Sequence, residues 1–191
     1  MLILVAVLAY LLGSISFGFV MARLFGLGDL RQIGSGNPGA TNVLRTGNKL
    51  AAFLTLVLDA GKGAIAVIAA RLLLGETAAQ VAGFAAFAGH CYPVFTRFLG
   101  GKGVATFLGT ALALSWPVGL ISCALWIGTA ALLRISSLSA LVSAALTPVA
   151  AFALGRSDLS LLLALLAVLV FWRHRGNIVR LARGIEPKIG K

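Results

Sequence analysis

The sequence predicts an all-α, polytopic integral membrane helix bundle of about seven transmembrane helices, with the N-terminus outside and the C-terminus cytoplasmic. Three observations predict it. Of 191 residues, 60% are hydrophobic and 11% charged, with mean hydropathy +1.02. A chain this short has no core large enough to hide that much apolar surface, so the surplus faces lipid. The apolar residues also fall into separate runs near the length of a bilayer crossing. Finally, 16 Lys+Arg oppose 5 Asp+Glu, a formal net charge of +11, and the basic residues collect in a few connections.

The first run covers 2–24; no basic residue precedes it and no small-residue cleavage site follows, which reads as a retained helix and not a signal peptide. Further runs cover 51–74, 78–95, 104–114, 118–133, 138–154 and 159–172. The run 104–114 is short, ends at Trp116-Pro117, and is expected to be tilted or partly inserted, which leaves five or six crossings with re-entrant pieces as the alternative to seven. With the N-terminus outside, seven crossings put Arg23, Arg31, Arg45, Lys49, Arg97, Lys102, Arg134, Arg173, Arg175, Arg180, Arg183, Lys188 and Lys191 on the cytoplasmic side, as the positive-inside rule requires. Only Arg71 and Arg156 fall outside, and Lys62 lies within a helix. The outer connections are short; the inner ones, 26–50, 97–103 and 173–191, carry the polar residues. In a membrane protein such a charge speaks for anionic lipid or an anionic substrate and not for nucleic acid. Cys91 and Cys123 form neither a CxxC nor a His-linked ligand spacing, and few carboxylates are available for a divalent metal, so neither metal nor cofactor is expected.

The first inner loop runs Gly34-Ser35-Gly36-Asn37-Pro38-Gly39-Ala40-Thr41-Asn42-Val43-Leu44-Arg45. Asn37-Pro38 signals a helix start, with Asn as N-cap and Pro at the first position, and Gly47 a stop after Thr46. A short interfacial helix from Pro38 to Thr46 sets Thr41 and Arg45 on one face with Asn42 beside them, and its glycine-preceded N-terminus suits a phosphate. The spacing also fits a turn and cap that merely reverse the chain. The second loop, Phe98-Leu99-Gly100-Gly101-Lys102-Gly103, lets backbone amides approach an anion while the lysine supplies charge, or else is a flexible connection with a snorkelling lysine. It is not a Walker A loop, because Gly103 stands where a hydroxyl is needed. In the tail, Arg173, Asn177, Arg180 and Gly184 share one helical face, apart from a stripe of Ile178, Leu181, Ala182 and Ile185. That pattern fits an interfacial amphipathic helix, serving as a lipid anchor or as part of an anion site.

Two further positions lie inside apolar runs. Asp59 and Lys62, three apart, read either as an internal ion pair or as a lysine aimed at a substrate cavity. His90 reads as a general base or as a histidine satisfied by packing.

The stretches GSGNPGATNVLR (34–45), GHCYPVFTRFLGGKGVAT (89–106), RHRGNIVRLARGIE (173–186) and the DAGKG run at 59–63 together resemble the bacterial acylphosphate-dependent glycerol-3-phosphate acyltransferases, the PlsY family. One departure is Leu99, where members often carry a basic residue. The resemblance implies a single membrane-embedded acyltransferase domain over 1–191 in the bacterial plasma (inner) membrane, with its active site at the cytoplasmic face. It implies transfer of an acyl group from acyl phosphate to the 1-hydroxyl of glycerol 3-phosphate, giving lysophosphatidic acid and phosphate, the first step of phospholipid synthesis. By the same analogy Lys102 and the loop glycines Gly100, Gly101 and Gly103 hold glycerol 3-phosphate, helped by His174, Asn177 and Arg180. Ser35, Asn37 and Arg45 embrace the acyl-phosphate head, with Lys62 adding charge. Gly34, Gly36, Thr41, Asn42, His90, Thr106 and Glu186 complete the expected substrate-binding set. Partners are the two substrates and membrane lipid, and a monomer is expected. A carrier of small organophosphate anions and a lipid-anchored scaffold are the alternatives. The first does not explain polar loops confined to one side, nor the second the glycine-rich geometry.

Overall fold

The computed structural model describes residues 1–189, and these contain only helices, turns and connections; Lys191 lies outside them. In chain order the helices are α1 (Leu2–Gly13), α2 (Phe17–Leu24), α3 (Ala40–Leu44), α4 (Lys49–Leu74), α5 (Glu76–Cys91), α6 (Val104–Leu114), α7 (Trp116–Leu133), α8 (Ser136–Ala153), α9 (Ser157–Arg173) and α10 (Arg175–Ala182). Short 3-10 turns stand at Leu30–Gln32 and Val94–Thr96. The chain forms two compact units, the first Met1–Thr110 and the second beginning at Ala111.

Four segments are long and apolar enough to cross a bilayer, Leu2–Leu24, Lys49–Leu74, Trp116–Leu133 and Ser136–Ala153, and a fifth is the pair α9–α10 if its 64° bend lies within one span. The expected crossings 78–95 and 104–114 are helices of 16 and 11 residues, which at 1.5 Å per residue span about 24 and 16 Å.

In the first unit small residues lie inside and large ones outside. Ala9, Ala66, Ala70, Ala78, Ala82, Ala85 and Ala86 form one core cluster, while Ile3, Leu72 and Leu73 are about four-fifths exposed. This is how helices pack when lipid, not water, covers the outer face: association comes from close backbone approach and not from hiding apolar surface. At Gly13 a β-carbon would collide with the backbone of Ala86, and at Gly89 with that of Tyr10. A second cluster, Met21, Ala22, Leu30, Val43, Ala51 and Ala52, seats α3 against α2 and the start of α4. In the second unit, Ser122 of α7 meets Ser143 and Thr147 of α8 through hydroxyl contacts of 2.8–2.9 Å.

Several boundaries differ from the sequence expectation, each for a local reason. The first run is broken at 14–16, where Ser16 is extended and the Ile15 carbonyl accepts from Lys62 Nζ at 2.7 Å instead of from a helix amide. The third helix stops at Cys91 and not at 95, because Pro93 drives Tyr92 out of the helical region, to φ −134°. Helix α4 starts at Lys49, two residues early, because the Asn48 side chain caps the Ala51 amide at 2.9 Å. Helix α3 starts at Ala40 with Gly39 as N-cap, not at Pro38, since Pro38 lies against Gly18, where a β-carbon would strike its carbonyl. The helix ends at Leu44 and not at Thr46: Arg45 is the C-cap, and a turn carries the chain on to Gly47, at φ +85°. The tail helix begins only at Arg175, so Arg173 belongs to α9 and Gly184 lies beyond α10.

Candidate active site

The first loop is organised by one side chain. Asn42, 2% exposed, donates from Nδ2 to the Leu30 carbonyl at 3.1 Å. Its Oδ1 accepts the Ser35 amide at 3.1 Å, the Ser35 hydroxyl at 3.5 Å and Arg45 Nη1 at 3.1 Å. A carboxamide oxygen has two lone pairs, and both are turned on the residues that the motif offers to an anion. Ser35 and Arg45 themselves are exposed. The chain reaches Ser35 through Gly34 and leaves through Gly36, at φ +52° and +68°; at Gly34 a β-carbon would meet Asn42 Oδ1 at 2.6 Å and Arg45 Cδ at 2.7 Å. Loop and short helix thus present an amide, a hydroxyl and a guanidinium on one side of a buried acceptor. Asn37 and Thr41 flank this group, half-buried.

The glycine loop is moulded onto the end of α5. Arg97 and Phe98 both have positive φ, 55° and 63°, an uncommon state for large side chains, held by the Phe98 amide on the Pro93 carbonyl at 2.9 Å. Next the Gly101 amide donates to the His90 carbonyl at 3.1 Å. A β-carbon would strike the His90 backbone at Gly100, the His90 ring at Gly101 and the Phe87 ring at Gly103, which also sits at φ +81°. The glycines are therefore required by close approach to α5, a reason independent of any ligand. Lys102 is half-buried between them.

Behind this loop lies a charged cluster. Lys62 and Asp59 pair at 2.7 Å with 2% and 3% of their side chains exposed, and the Lys62 ammonium also lies 5.7 Å from the Phe17 ring centroid. His90 Nδ1 stands 3.6 Å from Asp59 Oδ1. Thr106 donates its hydroxyl to the Asp59 carbonyl at 2.9 Å, inside the α4–α6 contact.

In the second unit the tail folds around Glu186. Its carboxylate accepts from Ser137 Oγ at 2.7 Å, Asn177 Nδ2 at 2.5 Å and Arg180 Nε at 2.7 Å. Burial alone raises such a carboxyl's pKa, but these three donors bring it below the usual range. His174, 2% exposed, donates from Nδ1 to the Val170 carbonyl at 2.8 Å. That bond fixes the tautomer, because a carbonyl can only accept.

The structure thus gathers Ser35, Asn42 and Arg45 in one group, Lys62, His90, Gly101 and Thr106 around Asp59 in another, and His174, Asn177, Arg180 and Glu186 in the second unit. Ser137 escaped sequence reading; it lies 49 residues before Glu186 and has no motif around it. The part of Asp59 in tying α4 to α5 and α6 was also hidden, although its spacing to Lys62 announced the pair. Among the described residues no group of three or more His, Cys, Asp or Glu is arranged to hold a metal ion.

The model of the family described as glycerol-3-phosphate acyltransferase matches residues 3–184. A glycerol-3-phosphate acyltransferase of Jannaschia sp. (strain CCS1) is 73% identical over 188 residues, which cover 98% of this chain and 93% of that one. Another, of Dinoroseobacter shibae, is 62% identical over 190 residues, covering 100% and 94%. Among solved structures, the crystal structure of PlsY (YgiH), an integral membrane glycerol 3-phosphate acyltransferase, in its glycerol 3-phosphate form is similar at TM-score 0.94 and 40% identity, with 99% of this chain and 96% of that chain covered. Its lysophosphatidic acid form gives TM-score 0.92 at 38% identity, with 99% and 95% covered.

Proposed function

Because the chain belongs to the glycerol-3-phosphate acyltransferase family, we propose that it transfers a fatty acyl group from acyl phosphate to the 1-hydroxyl of glycerol 3-phosphate, releasing lysophosphatidic acid and inorganic phosphate. It acts as a single catalytic domain of a multi-pass protein of the bacterial inner membrane. Seven crossings with the N-terminus outside put the basic connections, and with them the active site, on the cytoplasmic side. The protein works as a monomer.

The observation that carries this reading is the Asn42 carboxamide, which holds the Ser35 amide and the Arg45 guanidinium on one buried acceptor at 3.1 Å each. Acyl phosphate is a mixed anhydride and already activated, so no acyl-enzyme is required. The protein must hold the hydroxyl against the carbonyl and stabilise charge as it develops on the carbonyl oxygen and the leaving phosphate. Ser35, Asn37 and Arg45 take the acyl-phosphate head; Gly34, Gly36, Thr41 and Asn42 shape that loop. Lys102, on the glycine loop, takes the phosphate of glycerol 3-phosphate, and His174, Asn177 and Arg180 contribute to its recognition. The attacking hydroxyl gives its proton to a phosphate oxygen of the donor. Of the two histidines, His90 is packed between Asp59 and Gly101, while His174, whose Nδ1–H is held by the Val170 carbonyl, keeps Nε2 as its basic nitrogen and is the protein base that the test must exclude.

The test is substitution of each histidine by Gln, with substrate binding and folding measured beside turnover. Reduced but persistent turnover supports donor-assisted proton transfer. Abolished turnover with intact binding and folding contradicts it, and a covalent acyl adduct trapped on Ser35 or Cys91 during turnover replaces it with an acyl-enzyme route.

A further inference from the structure

The buried cluster around Asp59 is larger than charge neutralisation requires. An Asp–Lys pair three residues apart on one helix satisfies itself, yet each member of this one reaches to another element. Asp59 Oδ1 faces His90 Nδ1 of α5 at 3.6 Å, and its main-chain carbonyl accepts from Thr106 of α6. Lys62 bonds the Ile15 carbonyl in the break between α1 and α2. His90 then makes the last link: its carbonyl accepts the Gly101 amide at 3.1 Å, and its ring fills the space that a side chain at 101 would need. The glycine loop between α5 and α6 is therefore seated on His90, and His90 is seated on Asp59.

We propose that Asp59 and His90 are positioning residues for the glycine loop. The Asp59 carboxylate orients the imidazole, and the imidazole sets the distance at which the Gly100–Gly103 backbone and Lys102 meet the glycerol 3-phosphate anion. Lys62 serves this arrangement as the counter-ion of Asp59 and does not touch substrate. The inference rests on the reading of that loop as the glycerol 3-phosphate site. A purely structural lock would make the same contacts, but its loss would lower stability and the yield of active protein without singling out one substrate.

The experiment separates these cases with purified protein in detergent, measuring kcat, the KM for each substrate and the thermal midpoint. His90→Gln and Asp59→Asn are each expected to raise the KM for glycerol 3-phosphate about tenfold while kcat and the KM for acyl phosphate stay within about twofold. The double variant is expected to be little worse than either single one, because both changes break one chain of contacts. Lys102→Ala is run beside them. If it leaves the KM for glycerol 3-phosphate unchanged, the reading of the loop fails; if it raises that KM and the His90 and Asp59 variants do not, the positioning proposal alone is overturned. Where a charge-altering variant does not fold, the ring contact decides. Gly101→Ala is expected to raise the same KM about tenfold, and adding His90→Ala to recover at least about threefold of it by making room. Independent, multiplying effects of Gly101→Ala and His90→Ala would overturn the proposal.

Discussion

Replacing Asn42 with Leu tests how far the first loop depends on one carboxamide. Leucine keeps asparagine's branched skeleton with two bulkier methyl groups in place of the carboxamide oxygen and nitrogen, so the shape is roughly kept at the cost of some overpacking while every polar contact is lost. The Nδ2 bond to the Leu30 carbonyl disappears; that carbonyl keeps the Ile33 amide at 3.3 Å, so the lost bond costs about 0.5–1.5 kcal/mol of stability. On the exposed side the Ser35 amide loses its 3.1 Å acceptor and Arg45 its 3.1 Å bond. A hydrogen bond to a charged group is worth about 1.5–3 kcal/mol. If Arg45 must regain its position from a freer state at each turnover, that range corresponds to roughly 10- to 150-fold in kcat/KM. The assay is phosphate release matched to lysophosphatidic acid formation, with acyl phosphate varied at saturating glycerol 3-phosphate. The loss is expected in kcat/KM for acyl phosphate. A folded Asn42→Leu protein within about threefold of the parent would show that the carboxamide does not hold the reacting groups, and the reasoning would fall.

Gly103→Ala combines a left-handed backbone at φ +81° with a collision against the Phe87 ring; strain and overpacking together are expected to cost about 2–5 kcal/mol, read as a lowered thermal midpoint with a raised KM for glycerol 3-phosphate. Ser143→Ala removes a donor to the Ser122 carbonyl at 2.8 Å and a hydroxyl contact at 2.9 Å between α7 and α8. Such membrane hydrogen bonds average about 0.6 kcal/mol, so the midpoint should fall slightly, by about 1 kcal/mol in all, and turnover should be unchanged. For Glu186 the sign follows from its lowered folded-state pKa: the unfolded chain takes up the proton first. The stabilisation from this carboxylate is therefore complete above its ordinary value of 4.5 and is lost as pH falls below that through the folded value. Glu186→Gln should lower the midpoint at pH 7 and converge with the parent under acid, and a difference independent of pH would contradict the Ser137–Asn177–Arg180 account.

What could be read from the sequence was whatever local spacing decides. Asp59 and Lys62 three apart offered the ion pair as one of two readings, and the four motif stretches gave the family over which the match extends. Features decided by distant residues stayed hidden. The break at 14–16 depends on a lysine 47 residues away taking the Ile15 carbonyl, so the run 2–24 looked continuous. The carboxylate of Glu186 was expected at substrate, but the three donors around it are contributed by Ser137, Asn177 and Arg180, the first on another helix. The early end of α5 was legible, since Tyr92-Pro93 carries its own helix-stopping rule, and apolar content through Phe95 masked it. The glycines at 100, 101 and 103 suggested an anion site from composition. The structure adds that α5 leaves no room for side chains there, so the loop's shape is set before any anion binds.

The most direct measurement is phosphate release by detergent-purified protein given palmitoyl phosphate, with and without glycerol 3-phosphate and without divalent metal. Release that depends on glycerol 3-phosphate, with lysophosphatidic acid formed in equal amount, is the predicted result. No release from folded protein, or release without the lysolipid, would contradict the acyl transfer proposed for this chain.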